Sequence, residues 1–163
     1  LILLVIITVG KLFLLYLNLK SGDGIESIEN VLSIFGPNMP PSLTRSFGDE
    51  YMAGIYSFDS NEFFVILTVD DYSLAYSGML KWEKDMSKDM EELFNIELNN
   101  GTTTDNTFVD EAVKNRDMRV LKDNNGNPKI TYSFIDRKTL VITKSEGILS
   151  AIAGKITLNK QVK

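Results

Sequence analysis

Two adjacent carboxylates, Asp70-Asp71, stand where the apolar run Phe63-Phe-Val-Ile-Leu-Thr-Val69 gives way to helical spacing. A strand-to-helix junction is a common place for a divalent metal or a phosphate, so the pair is a candidate for carboxylate-based, metal-dependent hydrolase or transferase chemistry. Neighbouring carboxylates point in different directions, however, and a helix N-cap accounts for one of them without any chemistry. A second acidic segment, Asp123-Asn-Asn-Gly-Asn-Pro128, has the look of a calcium loop but carries Pro at its sixth position and Phe134 at its twelfth, where Gly and a bidentate Glu are needed. It reads as a hairpin turn instead. Arg45, Arg116, Asp117 and Arg119 lie near element ends, where a guanidinium can clamp a carboxylate or phosphate; Arg45 has Asp49 and Glu50 close by in sequence as intramolecular partners. Finally, Tyr56-Ser-Phe58 and Tyr132-Ser-Phe134 each place two aromatics on one strand face, and together they are candidates to line a ligand groove or to fill a shared core.

Absences narrow the chemistry further. The 163-residue chain has no cysteine and no histidine, which removes thiol nucleophiles, disulfides, Cys/His zinc sites and every Ser-His or Cys-His relay. Glycine-rich phosphate loops and the Gly-x-Ser-x-Gly elbow do not occur, and no motif implies a cofactor. A net charge of −5 argues against nucleic acid as a partner, since phosphate binding needs a basic stripe. Lys81, Lys84 and Lys88 are interleaved with Glu83, Asp85 and Asp89 and describe a solvated helix face. Asn100-Gly-Thr102 fits a glycosylation acceptor, a triplet too common to carry weight.

The elements that must position these residues follow from periodicity. Hydrophobic residues are 44% of the chain and charged residues 24%, values of a folded domain, and the length suits one domain over 1–163. Ile25, Ile28, Val31, Leu32 and Phe35 recur at helical spacing, with Gly36-Pro37 as the stop. Pro40-Pro41 opens a short helical turn. Tyr51 to Phe58 and Glu62 to Val69 form a hairpin across a polar turn, and the apolar stripe from Tyr72 to Phe94 predicts the longest helix. After a polar loop at 97–107, Phe108, Ala112 and Val113 predict a helix. Met118 to Lys122 pairs with Lys129 to Ile135, Thr139 to Lys144 is a strand, and a last helix runs to about Ile156.

The chain also echoes itself at a gap-free offset of 76 residues. Tyr56/Tyr132, Ser57/Ser133, Phe58/Phe134, Val65/Val141, Ile66/Ile142, Ala75/Ala151 and Gly78/Gly154 are identical. The expected fold class is therefore α+β: an antiparallel sheet with helices mainly on one face, built from an internally duplicated α-β-β-α unit, with repeat one at about 21–96 and repeat two at about 105–158. Residues 1–20, nearly all apolar, are either two strands or a hydrophobic membrane anchor. Lys11 would cost an anchor roughly 2.5 to 3.5 kcal/mol at mid-bilayer, and the β-branched residues Ile2, Val5, Ile6, Ile7, Thr8 and Val9 favour strands.

The stretch Met39-Pro-Pro-Ser-Leu-Thr-Arg-Ser46, with Ser77-Gly-Met-Leu-Lys-Trp-Glu-Lys-Asp-Met86 and Asn115-Arg-Asp-Met-Arg-Val-Leu121, resembles an uncharacterised family of predicted bacterial proteins over roughly residues 11–156. That resemblance implies an extracytoplasmic domain following a transmembrane helix, and it carries over no catalytic residue. Residues and resemblance together point to a non-catalytic binding or assembly module, displayed at the cell envelope and engaging a protein partner or another copy of itself. A small-ligand or peptide carrier, with its groove between the repeats, is the further alternative to the hydrolase.

Overall fold

In the computed structural model the described residues are 2–9, 12–21, 24–25, 27–57, 61–96 and 107–161, with side chains described over 27–56, 61–96 and 107–158. The elements in order are β1 (Ile2–Val9), β2 (Leu12–Ser21), β3 (Gly24–Ile25), α1 (Ile28–Phe35), α2 (Pro41–Thr44), β4 (Phe47–Ser57), β5 (Asn61–Val69), α3 (Tyr72–Asp89), α4 (Glu91–Phe94), β6 (Val109–Val113), β7 (Arg116–Lys122), β8 (Pro128–Asp136), β9 (Thr139–Thr143) and α5 (Glu146–Gln161). The fold is α+β.

Local chemistry sets the helix ends. The Ser27 side chain accepts from Asn30 N to cap α1, whose Ile28, Val31, Leu32 and Phe35 are all buried; Gly36 closes it. Pro41 occupies the first position of α2, where its missing N–H is not needed. The long stripe expected as one helix is two, α3 and α4, separated at Met90, and Asn95 in the left-handed region (φ 49°) ends α4.

Strands β4 to β9 form a six-stranded antiparallel sheet in the order β4-β5-β9-β8-β7-β6. Beyond β4 the sheet is extended by β2 and β1, which pair with each other from Ile2↔Leu19 to Val9↔Leu12, while β3 pairs with β2. Residues 2–9 and 12–21 are strands, and no helix among the described residues is long and apolar enough to cross a membrane.

Alternation along the strands divides the core in two. Val65, Leu67, Ile130, Leu140 and Ile142 pack with α1, α2, α3 and α4 through Leu32, Leu43, Met79, Trp82 and Phe94. Their strand neighbours Phe64, Met118, Val120 and Val141 face the other way and are covered by Ile148, Leu149 and Ile152 of α5. Of the five helices among the described residues, α1 to α4 therefore lie on one face and α5 on the other.

The helix expected around Phe108, Ala112 and Val113 is strand β6. It reaches β7 through Lys114-Asn115, both at positive φ (52° and 60°), the twist that suits a two-residue hairpin turn. Pairing with β7 overrides the helix tolerance of Asp, Glu and Ala in so short a segment.

The 76-residue echo has a defined place in this sheet. Its two centres, β5 and β9, are adjacent, with Phe64↔Thr143, Val65↔Ile142, Ile66↔Val141 and Leu67↔Leu140. Val65 points toward α3 and Val141 toward α5, so each keeps the same relation to the helix that follows it, on opposite faces. The flanking strands do not keep the offset: Tyr56 pairs with Glu62 at the turn end of its hairpin, whereas Tyr132 pairs with Ile142 in mid-ladder.

Candidate functional site

One row of residues crosses the sheet from its β6 edge: Asp110, Arg119, Tyr132, Ile142, Val65 and Ala53 are successive ladder partners. The row lies on the α3 side, charged at the edge and aliphatic at the centre. Glu83 comes down onto it from α3. Arg119 Nε donates to Glu83 Oε1 (2.8 Å) and Arg119 Nη2 to Glu83 Oε2 (2.7 Å), a two-pronged clamp. Arg119 Nη1 donates to Asp110 Oδ1 (3.0 Å), and Tyr132 Oη donates to Glu83 Oε1 (2.7 Å).

These bonds fix the charge states. Glu83 holds the Arg119 guanidinium firmly protonated. Burial, then the bond to Glu83, pushes the Tyr132 hydroxyl well above the ordinary phenol range. Tyr132 is a locked donor rather than a base, and Arg119 has its carboxylate already. The clamp that sequence suggested for Arg119 exists, with a residue of its own chain as the ligand.

Beside this network, between the first half of α3 and strands β6 to β8, is an open groove of about 530 Å³. Tyr72, Tyr76 and Phe134 line one wall. Their rings touch in sequence: Tyr72 meets Phe134 edge-on at 5.1 Å between centroids, and Tyr76 lies 6.0 Å from each of the other two. Asp110, Asp117, Arg119 and Tyr132 line the opposite side and floor. At the β8–β9 turn the Arg137 guanidinium carbon sits 5.2 Å from the Tyr72 ring centroid.

On the α5 side a second polar cluster joins Glu111 of β6, Lys122 of β7 and Glu146 in the first turn of α5. Lys122 Nζ donates to Glu111 Oε1 and, with a further bond from Glu146, holds the Glu111 carboxyl below its ordinary range. Glu146 is pushed upward, first by its bond to Glu111 and then by burial. A smaller hollow of about 330 Å³ lies beside it, bordered by Val113, Lys114 and Ser150. Among the described residues no group of three or more acidic side chains converges as a metal site would require.

The sequence candidates scatter over this framework. Asp71 Oδ1 accepts from Leu74 N (3.0 Å) and caps α3, while Asp70 is exposed and turned toward Gly48, so the two carboxylates do not converge. Arg45 is exposed at the end of α2 and, among the described residues, makes no ion pair with Asp49 or Glu50. Asp123 accepts from the Asn125 and Asn127 N–H groups, with Gly126 at φ 82°, and the Asn127 N–H above all lowers its carboxyl. Asp123 is the hinge of a hairpin turn. Of the four aromatics offered as a groove, Tyr132 and Phe134 face α3, Tyr56 faces α5, and Phe58 lies outside the described residues. Since Tyr56 and Tyr132 lie on opposite faces, the set does not form one groove. The loop at 97–106, with Asn100-Gly-Thr102, also falls outside the described residues.

Tyr72, Tyr76, Glu83 and Asp110 were not singled out by sequence. The two tyrosines share the helical period of the core stripe, and only the structure shows Tyr76 44% exposed. Comparison with protein-family models, curated proteins and solved structures returns no match, so the functional reading rests on the residues themselves.

Proposed function

We propose that this chain is a non-catalytic binding module whose binding surface is the groove between α3 and strands β6 to β8. The observation that carries this reading is the division of labour within one region. Arg119, Glu83 and Tyr132 satisfy one another and build a rigid floor, while Tyr72, Tyr76 and Phe134 stand as an aromatic wall over open space. Preorganised rings beside fixed polar groups favour binding of a ligand, and nothing in that arrangement activates a nucleophile. The 76-residue echo we read as one strand-and-helix unit used twice, supported by the matching relation of Val65 to α3 and Val141 to α5. A partner at the cell envelope is part of the same proposal and is supported by the sequence resemblance alone.

The test is amide chemical-shift mapping with a library of small neutral and charged aromatic fragments. Saturable shifts clustered at Tyr72, Tyr76 and Phe134 are the expected result. Fragments that bind elsewhere and leave those amides unmoved, or turnover of ester or phosphoester substrates lost on Asp71→Asn, would overturn the reading.

A further inference from the structure

The open sides of the groove carry a charge as well as an aromatic wall, and both select the same ligand chemistry. Asp110 has an 87% exposed side chain even though one of its oxygens meets Arg119. Asp117 is exposed, precedes Arg119 by two residues on the same face of β7, and makes no ion pair among the described residues. Arg119 is the cation on the groove floor, and its charge is already engaged by both Glu83 and Asp110 through three N–H bonds. Arg116 also borders the groove, but its ladder partner Val113 packs on the α5 side, and strand alternation sends Arg116 toward that face. What remains facing the space is two carboxylates and three π-faces, on a chain of net charge −5.

The molecule itself shows what such a wall accepts. Arg137 already rests on the Tyr72 ring, so the upper end of the wall is used by a guanidinium. Tyr76 and Phe134, next to it in the wall, offer the same kind of surface with no cation on it among the described residues, and Asp110 and Asp117 line the same groove. Leu80 is not itself a lining residue, but it lies one helical turn beyond Tyr76, which is, and at 41% exposed it offers an apolar stem a surface next to that rim. An arginine side chain matches all three requirements: a planar cation for the rings, a fork for the carboxylates and a methylene stem for the rim.

We infer that the groove is a docking site for an arginine-bearing segment of a partner protein, its guanidinium seated on Tyr76 and Phe134 and facing Asp110 and Asp117. This rests on the groove being the binding surface. The probe is the peptide acetyl-Gly-Arg-Gly-Arg-Gly-amide titrated into the full chain, followed by amide shifts and calorimetry, with the lysine counterpart and tetramethylammonium chloride as comparisons.

The arginine peptide gives saturable shifts at 76, 110, 117 and 134, and its affinity falls as salt rises. Tyr76→Ala weakens it about three- to fivefold, the size of an exposed cation–π contact. Tyr76→Leu, which keeps volume and loses the ring, weakens it similarly, and Asp117→Asn does so by about twofold. The lysine peptide binds more weakly. No saturable shift, shifts elsewhere, indifference to all three substitutions, or tetramethylammonium filling the groove at the same concentration would each overturn the inference. Aromatic fragments could still map to the groove in that event, so its failure is separable from failure of the binding reading.

Discussion

On one face of the sheet four helices crowd together so closely that side chains run out of room; on the other, α5 lies alone. The echo pair Gly78 and Gly154 shows the difference directly. A Cβ at Gly78 would lie 2.7 Å from Leu43 Cβ and 3.1 Å from its Cα, because α2 crosses α3 there, whereas a Cβ at Gly154 meets nothing within 4 Å. Ala75 is fully buried and its echo Ala151 is only half-buried. Identical residues at a fixed offset are thus under unequal packing demands. What repeats is the small-residue helix face; what differs is how many elements press on it. The polar groups follow the same division. The α3 side holds a clamp of Arg119, Glu83 and Tyr132 beside an open groove, and the α5 side holds Glu111, Lys122 and Glu146 sharing bonds at a helix start.

The contrast can be broken most forcefully at the clamp. Glu83→Ala leaves Arg119 and the Tyr132 hydroxyl without their common acceptor in a partly buried setting, and urea unfolding is expected to show a loss of about 3 kcal/mol. Gly78→Ala should cost about 1–3 kcal/mol by overpacking against the Leu43 backbone, measured the same way. If Gly78→Ala proves neutral, α2 is free to move off α3 and the crowding is not a constraint.

On the α5 side the effects are smaller and depend on pH. Glu146 has a raised pKa, so its contribution is complete below the ordinary glutamate range and fades as pH rises through its raised value; Glu111 has a lowered one and loses its contribution as pH falls through that value. Glu146→Gln keeps a donor for Glu111 with no proton to lose. It should flatten the decline in stability between the ordinary glutamate range and neutrality, a difference of about 1 kcal/mol or less for a half-buried cluster that solvent still screens. An unchanged profile across a pH series of unfolding curves would show that Glu146 and Glu111 do not share a proton. Gly154→Ala completes the comparison: it should stabilise by about 0.5–1 kcal/mol, since it adds helix propensity without a clash. Opposite signs at Gly78 and Gly154 are the sharpest outcome the echo can give.

Much of the framework was legible because its signals are local. Asp71, Gly36-Pro37 and the Asp123–Asn127 turn act within a few residues of themselves, and each marks its element boundary, whereas Ile25, which shares the period of α1, belongs to β3. Strand β6 was not legible, because Val109-Asp-Glu-Ala-Val113 gains its conformation from β7 and from a turn with no glycine. The groove was half legible. Arg119 drew attention as a clamp, but its partner Glu83 is 36 residues away on a helix whose charged face looked merely solvated. Tyr72 and Tyr76 followed the same period as the core residues, and period alone does not say which side of a stripe is left uncovered. The place of α5 on the opposite face was not legible for a related reason: strands buried on both sides show no polar alternation to tell one face from the other.

The β5–β9 seam has a kinetic meaning as well. Thr143 Oγ1 donates to Phe63 O across 80 residues of chain, joining two groups of strands that are otherwise close in sequence. Loop closure over that distance has to be met before either helix finds its whole surface, because Val65 and Ile142 complete the floor under α3 while Phe64 and Val141 complete the one under α5. Neither core is complete until β5 and β9 meet, so both faces of the sheet depend on the closure of this single ladder.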